Sequence, residues 1–221
     1  MFYFYGRKHR IANKYPKPQY DTIIEPFSGS AAYSMLYSDR KVILNDKDEK
    51  IYKTWKYLIN VSPEEIMSLP LLVKGQCLNN SEYDYLTDEQ KHLIGFFLNP
   101  GSSVPKKSPG NYCAWTDKNK KLLCENIEKV RHWEIYHGDY NNLENIEATW
   151  FIDPPYETQG KWYRHGCKDI DYTELGEWCL SRKGQVIVCE NIGADWLPFE
   201  ELTKLRGQKN INTEVVFIKN N

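Results

Sequence analysis

Thr22-Ile23-Ile24-Glu25, followed by Pro26-Phe27-Ser28-Gly29-Ser30, is the stretch that decides the fold. A β-branched run favours a strand, a proline with small polar residues ends it, and residues 31–36 then read as helix. The pattern recurs at once. Lys41-Val42-Ile43-Leu44 runs into Asn45-Asp46, and residues 49–59 have helical spacing at Ile51, Trp55 and Leu58-Ile59. Two βα units in succession predict a parallel α/β sheet. Working outward, further strands are predicted at residues 134–137, 149–152, 185–189 and 214–218, and Asp171 with Glu174 opens a helix that ends before Gly184.

The middle of the chain, residues 62–131, is short on strand signals and rich in helix starts. Thr87 followed by Gln90 predicts a capping box for a helix through Phe97, while Leu123, Ile127 and Val130 mark one face of another. Between them, residues 99–110 carry three prolines and two glycines and predict an irregular exposed loop. The organisation expected is a catalytic domain from residues 1–61 and 132–221, interrupted by a helical insertion over 62–131. A long loop over residues 157–170 follows a strand end, where loops are often functional.

With 221 residues, 27% charged and 41% apolar, the chain has the composition of a globular domain with a modest insertion. No apolar run approaches the roughly 20 residues that span a bilayer, and the N-terminus lacks a secretory layout, which predicts a cytoplasmic protein without membrane contact. The six cysteines and five histidines show no metal-ligand spacing, so no metal is expected. A net charge of −1 means that any nucleic-acid contact must use local basic patches.

The strongest local signal is Asp153-Pro154-Pro155-Tyr156, directly after a buried-looking strand. Such a tetrapeptide arises by chance in roughly one chain of this length in a thousand. Alone it also fits a rigid turn. The chemistry it suits is an attack by an exocyclic amine whose lone pair is delocalised into a ring. A carboxylate and a proline carbonyl can each accept one amino hydrogen and so draw the lone pair toward an electrophile. Tyr156 can stack on a base swung out of a duplex. Upstream, the small residues of the first βα turn allow close approach of a ligand, and Asp46 ends the second strand where α/β folds bind ribose hydroxyls. A GxGxxG pattern is absent, which favours a ligand with a ribose but no pyrophosphate.

Taken in order, Phe4-Tyr5-Gly6-Arg7-Lys8, Glu25-Pro26-Phe27-Ser28-Gly29-Ser30, Leu44-Asn45-Asp46, Gly138-Asp139-Tyr140 and Asp153-Pro154-Pro155-Tyr156 resemble the Dam-like adenine-specific DNA methyltransferases over nearly the whole chain. Arg7 stands where that family usually has a second glycine, and Ser30-Ala31 stand where a further glycine is common. The resemblance implies a Rossmann-like methyltransferase sheet with a helical target-recognition insertion, S-adenosylmethionine as cofactor and double-stranded DNA as partner, in a bacterial cell or a phage. It implies that Phe4 and Lys8 lie at the methionine end of the cofactor, that Asp46 holds the ribose, and that Asp139 and Tyr140 border the adenine. Glu25, Phe27 and Gly29 would line the same pocket, with Asp153 between cofactor and target amine. Lys106, Lys107, Lys118, Lys120 and Lys121 are the expected DNA contacts, serving affinity rather than choice of sequence. A monomer is expected. Two other readings share these residues: an amino-methyltransferase acting on RNA or on cytosine, and a catalytically silent DNA-binding homologue.

Overall fold

The computed structural model describes residues 1–158, 160–206 and 211–220. Its strands are β1 (Thr22–Glu25), β2 (Lys41–Asp46), β3 (Glu134–His137), β4 (Ala148–Ile152), β5 (Gly184–Asn191), β6 (Glu200–Arg206) and β7 (Ile211–Lys219). They form one seven-stranded sheet in the order β3-β2-β1-β4-β5-β7-β6. The first five strands pair in parallel, and β7 runs antiparallel between β5 and β6. This is the mostly parallel α/β sheet that the two leading βα units predict.

Alternation along each strand divides the core between two faces. Ile23, Val42, Leu44, Phe151 and Ile187 join one apolar cluster, and Ile24, Ile43, Trp150, Ile152 and Val186 join the other. The first face is covered by α1 (Glu49–Asn60) and by three helices of the middle segment, α2 (Pro63–Ser68), α3 (Asp88–Leu98) and α4 (Asp117–Ile127). The second is covered by α5 (Tyr172–Ser181), through Leu175, Trp178 and Cys179. The middle segment adds Leu93, Ile94, Phe96, Trp115 and Leu123 to the cluster that holds Trp55 and Leu58, so one continuous core joins it to the sheet.

Local chemistry sets the helix ends. Thr87 and Gln90 form the predicted capping box on α3, and Asp171 accepts from Thr173 and Glu174 to cap α5. Ser62 caps α2 with a proline in its first turn. The helix expected over residues 31–36 does not form. Ala31 adopts a left-handed φ of 47°, and only a short 3₁₀ turn, Ser34–Tyr37, follows.

Residues 99–110 are irregular, as predicted, yet they are pinned. Lys106 donates its backbone N–H to Gly95 at 3.0 Å, and Gly110 donates to Leu98 at 3.0 Å. Gly95 is what permits this approach, because a Cβ there would lie 2.6 Å from the Lys106 carbonyl oxygen. Gly95→Ala is therefore expected to destabilise the fold by about 1–3 kcal/mol, read as a lower urea midpoint with an unchanged slope. No helix among the described residues is long and apolar enough to cross a membrane.

Candidate active site

β1 and β4 are neighbours, but the chain leaves them in opposite directions across the sheet, toward β2 and toward β5. Such a reversal opens a crevice at the carboxyl ends of the strands. Glu25 ends β1, Asp46 ends β2 and Asp153 follows β4, so three carboxylates from distant segments meet there. Phe4, Lys8, Glu25, Phe27, Gly29, Asp46, Asp139, Tyr140 and Asp153, the nine residues expected around a cofactor, all line this one pocket. Pro155 also lines it, whereas Pro154 and Tyr156 do not.

The turn after β1 is shaped for close contact. Gly29 has a φ of 43°, and a Cβ on it would come within 3.1 Å of the Phe4 ring. Ala31 carries the same left-handed strain, roughly 1–2 kcal/mol for a residue with a side chain, and is tied by its N–H to the Ser28 carbonyl at 2.7 Å. The Asp46 carboxylate accepts from the Gly29 N–H at 3.0 Å, the Ser28 hydroxyl at 3.3 Å and the Asp48 N–H at 2.9 Å. It fixes the turn and still presents lone pairs to the pocket. Burial pushes its carboxyl up to about 6 despite those donors. Glu25, also buried, takes the Ser34 N–H at 2.9 Å and the Ser34 hydroxyl at 2.5 Å, and desolvation pushes it up to about 8.

One wall is aromatic. The rings of Phe27 and Tyr140 pack against each other with centres 5.4 Å apart and together present an aromatic surface to the pocket. Beside them Asp139 pairs with Lys47 at 3.0 Å and accepts from the Asn141 N–H at 3.1 Å.

At the opposite end Asp153 sits in a buried polar network. Lys8 pairs with Asp153 at 2.9 Å and with Glu214 at 3.3 Å. Its ammonium also donates to the Tyr156 hydroxyl and lies 4.4 Å from the centre of that ring. Tyr156 in turn donates to Glu214, which takes a second bond from Tyr15 at 2.6 Å. The Asp153 side chain keeps 22% of its surface open toward the pocket. Desolvation pushes it up to about 6, opposed by Lys8. Although desolvation alone would lower it, Lys8 is raised by the two carboxylates and stays protonated.

The loop expected to matter, residues 157–170, closes over the pocket with Tyr163, Arg164 and His165; its Gln159 lies outside the described residues. The Tyr163 ring packs between Phe4 and Tyr5 at 5.8 and 5.6 Å, and Arg164 pairs with Asp48 at 3.6 Å. Gly6, with a φ of 75°, is required there, since a Cβ would overlap the Tyr163 hydroxyl. Arg7 lays its guanidinium over the Tyr3 ring, 4.2 Å from the ring centre.

Of the five lysines expected to meet DNA, Lys106, Lys107, Lys118 and Lys121 are exposed. Lys120 is a correction. It is buried, and its ammonium donates to the carbonyls of Met67 and Leu69, both at 2.7 Å. It ties α4 to the end of α2 and has no free charge for a phosphate. Sequence reasoning also missed Tyr15, Tyr163 and Glu214. The signal for Glu214 was available, an acid at an alternating position in the β-branched run of β7. Among the described residues no group of three or more His, Cys, Asp or Glu is placed to hold a metal ion.

The model of a family described as D12 class N6 adenine-specific DNA methyltransferase matches residues 8–147. Among solved structures the chain is similar to yhhF of Escherichia coli, which carries a methyltransferase name, with 10% identity over 88% of this chain and 73% of that one and a TM-score of 0.36. No curated protein matches it.

Proposed function

Because the chain belongs to the D12 class of N6 adenine-specific DNA methyltransferases, it is an enzyme that methylates adenine in DNA, and we propose that it takes the methyl group from S-adenosylmethionine bound in the pocket between β1 and β4. The observation that carries this reading is the convergence of all nine expected residues on that pocket. The donor set fits the cofactor part by part. The Asp46 carboxylate suits a pair of ribose hydroxyls, the packed rings of Phe27 and Tyr140 offer an apolar surface to a purine, and Asp139 suits its amino edge. Phe4 and Lys8, with Asp153, suit the methionine end and its cationic centre. When bound, S-adenosylmethionine supplies a methyl group made electrophilic by the attached sulfonium.

The remaining work belongs to the chain. Asp153 accepts one hydrogen of the adenine amine, and its carboxylate stabilises the positive charge that grows on nitrogen as the new N–C bond forms. A backbone carbonyl of the Pro154-Pro155 pair accepts the other hydrogen; the Pro155 carbonyl, which takes the Tyr172 hydroxyl, keeps a second lone pair. The adenine must leave the helix to reach this site, and the Tyr156 ring can meet it only with the face that Lys8 does not cover. Most of the acceleration comes from holding amine and donor in line. No cysteine among the described residues lines the pocket, and the buried Cys189 thiol is held well above its usual range by desolvation, so no thiolate intermediate is used.

Residues 62–131 serve as the recognition insertion in this reading, with the exposed Lys106, Lys107, Lys118 and Lys121 reaching phosphates of double-stranded DNA while the protein acts as a monomer. The test is a transfer assay with labelled cofactor on duplex DNA, single-stranded DNA and RNA, followed by nucleoside analysis. Label in N6-methyladenine from duplex DNA is the expected result; label in RNA or in cytosine would replace the substrate assignment.

Asp46 gives a second measurement. Asp46→Ala is expected to weaken S-adenosylmethionine binding by about 10–100-fold, the worth of one or two hydrogen bonds to a charged group, in calorimetric titration. Protonation removes the acceptor, so wild-type affinity should fall as pH drops through about 6, where burial places this carboxyl.

A further inference from the structure

We propose that Glu214, on the antiparallel strand β7, is a positioning residue that sets the charge state of Asp153 through Lys8. The inference rests on the reading of Asp153 as the group that accepts the amine hydrogen. Glu214 lies behind the site, does not line the pocket and is 5% exposed. A buried carboxylate is costly unless paired and hydrogen-bonded. Here it has a full set of partners: the Lys8 ammonium at 3.3 Å, the Tyr156 hydroxyl and the Tyr15 hydroxyl at 2.6 Å.

The arrangement divides one cation between two carboxylates. Lys8 reaches Asp153 at 2.9 Å and Glu214 at 3.3 Å, so neither acid has it exclusively. With its own charge neutralised only in part, Glu214 repels a negative Asp153 and keeps that carboxyl basic enough to compete for an amine hydrogen. Glu214 also orients Tyr156, whose hydroxyl it accepts. The surrounding groups are consistent with this division. Tyr15 donates to Glu214 from the N-terminal segment, while burial pushes Glu25 on β1 up to about 8 and Glu190 on β5 up to about 7, so both are largely protonated in the range where Asp153 titrates. Cys189 on β5 and Tyr163 of the covering loop are neutral, each raised by burial. Lys8 is therefore the cation that both Asp153 and Glu214 engage.

Replacing Glu214 by glutamine keeps the shape and the acceptor oxygen but removes the charge. Lys8 then belongs to Asp153 alone, Asp153 ionises more readily, and the acidic limb of the kcat/KM profile moves to lower pH. Relative to its value at about pH 8, the rate at about pH 5.5 should rise roughly twofold or more, while the rate at neutral pH falls because the more stable carboxylate is a weaker acceptor. Binding of S-adenosylmethionine in calorimetry should not change. A merely structural Glu214 would lower the melting temperature and scale the whole profile without moving its limb, and that result would overturn the proposal. Should Glu214→Gln lose cooperative melting, Glu214→Asp replaces it; withdrawing the carboxylate by one methylene should move the limb in the same direction by a smaller amount. Asp153→Asn separates the two levels of inference. Retained activity in Asp153→Asn would remove the reading of Asp153 itself; lost activity there, together with an unmoved limb in Glu214→Gln, would remove only the role of Glu214.

Discussion

Asp153→Ala is expected to lower turnover by about a thousandfold or more while leaving S-adenosylmethionine affinity within a few-fold of wild type. Loss of one preorganised group aimed at developing charge costs about 10²–10³ in kcat, and Asp153 additionally orients the amine, so the larger figure applies. The cofactor retains Asp46, Asp139 and the aromatic pair of Phe27 and Tyr140, none of which touches Asp153. Lys8 keeps Glu214 and Tyr156 as partners, so the site is not left with an unpaired cation. Single-turnover transfer to duplex DNA, paired with calorimetric titration, separates the two quantities. Equal losses in both would mean that Asp153 acts in ground-state binding. The wild-type profile carries its own check: the working carboxylate is the charged form, so kcat/KM should fall as pH drops through about 6, where burial places this carboxyl.

The family match ends at residue 147, before Asp153-Pro154-Pro155-Tyr156. Membership therefore rests on the segments from Lys8 to Asp139, and the placement of Asp153 beside them in the pocket is an independent structural fact. That independence is why the order of motifs was informative. Residues close to strand ends are legible in sequence, because a strand is marked by its own β-branched run and its last residue must lie at the sheet edge. Glu25, Asp46 and Asp153 all have that character.

The elements that escaped did so for physical reasons. β6 reads Glu200-Glu201-Leu202-Thr203-Lys204, a charged edge strand whose pairing on a single side, to β7, demands little apolar patterning. Residues 31–36 have a helical composition, but the Glu25 carboxylate captures the Ser34 N–H and hydroxyl and Ala31 turns left-handed, so tertiary contacts override propensity. Two misses were avoidable. Ser62-Pro63-Glu64-Glu65 is a helix start by composition, and it opens α2. Lys120 falls on the face of α4 that carries Leu123 and Ile127, three and seven residues on, and that face is buried. Tyr15, by contrast, has no local pattern that marks it, and Glu214, though an acid within the run of β7, is brought under Asp153 only by the antiparallel placement of β7 between β5 and β6.

Lys8→Met should be the most destabilising of the substitutions considered, because it breaks a buried pair without removing either acid. Removing one partner of such a pair costs about 3–5 kcal/mol, a large part of the 5–15 kcal/mol that holds a typical domain together. In the wild type, Lys8 is raised by Asp153 and Glu214, so its contribution is complete below the ordinary lysine range and persists throughout neutral pH. Without it, Asp153 and Glu214 face each other with only tyrosine donors between them, and the shared pair must hold a proton to remain buried. Carboxyls raised in the folded state favour folding at low pH and cease to do so as pH rises through their folded values. The stability gap between Lys8→Met and wild type should therefore widen from about pH 5 to about pH 8, measured by urea unfolding at both. Adding Glu214→Gln to Lys8→Met removes one of the opposed acids and should recover part of the loss, most visibly at the higher pH. A gap that does not depend on pH, or a double variant no more stable than the single one, would show that Lys8 supports the site by packing against the Tyr156 ring rather than by charge.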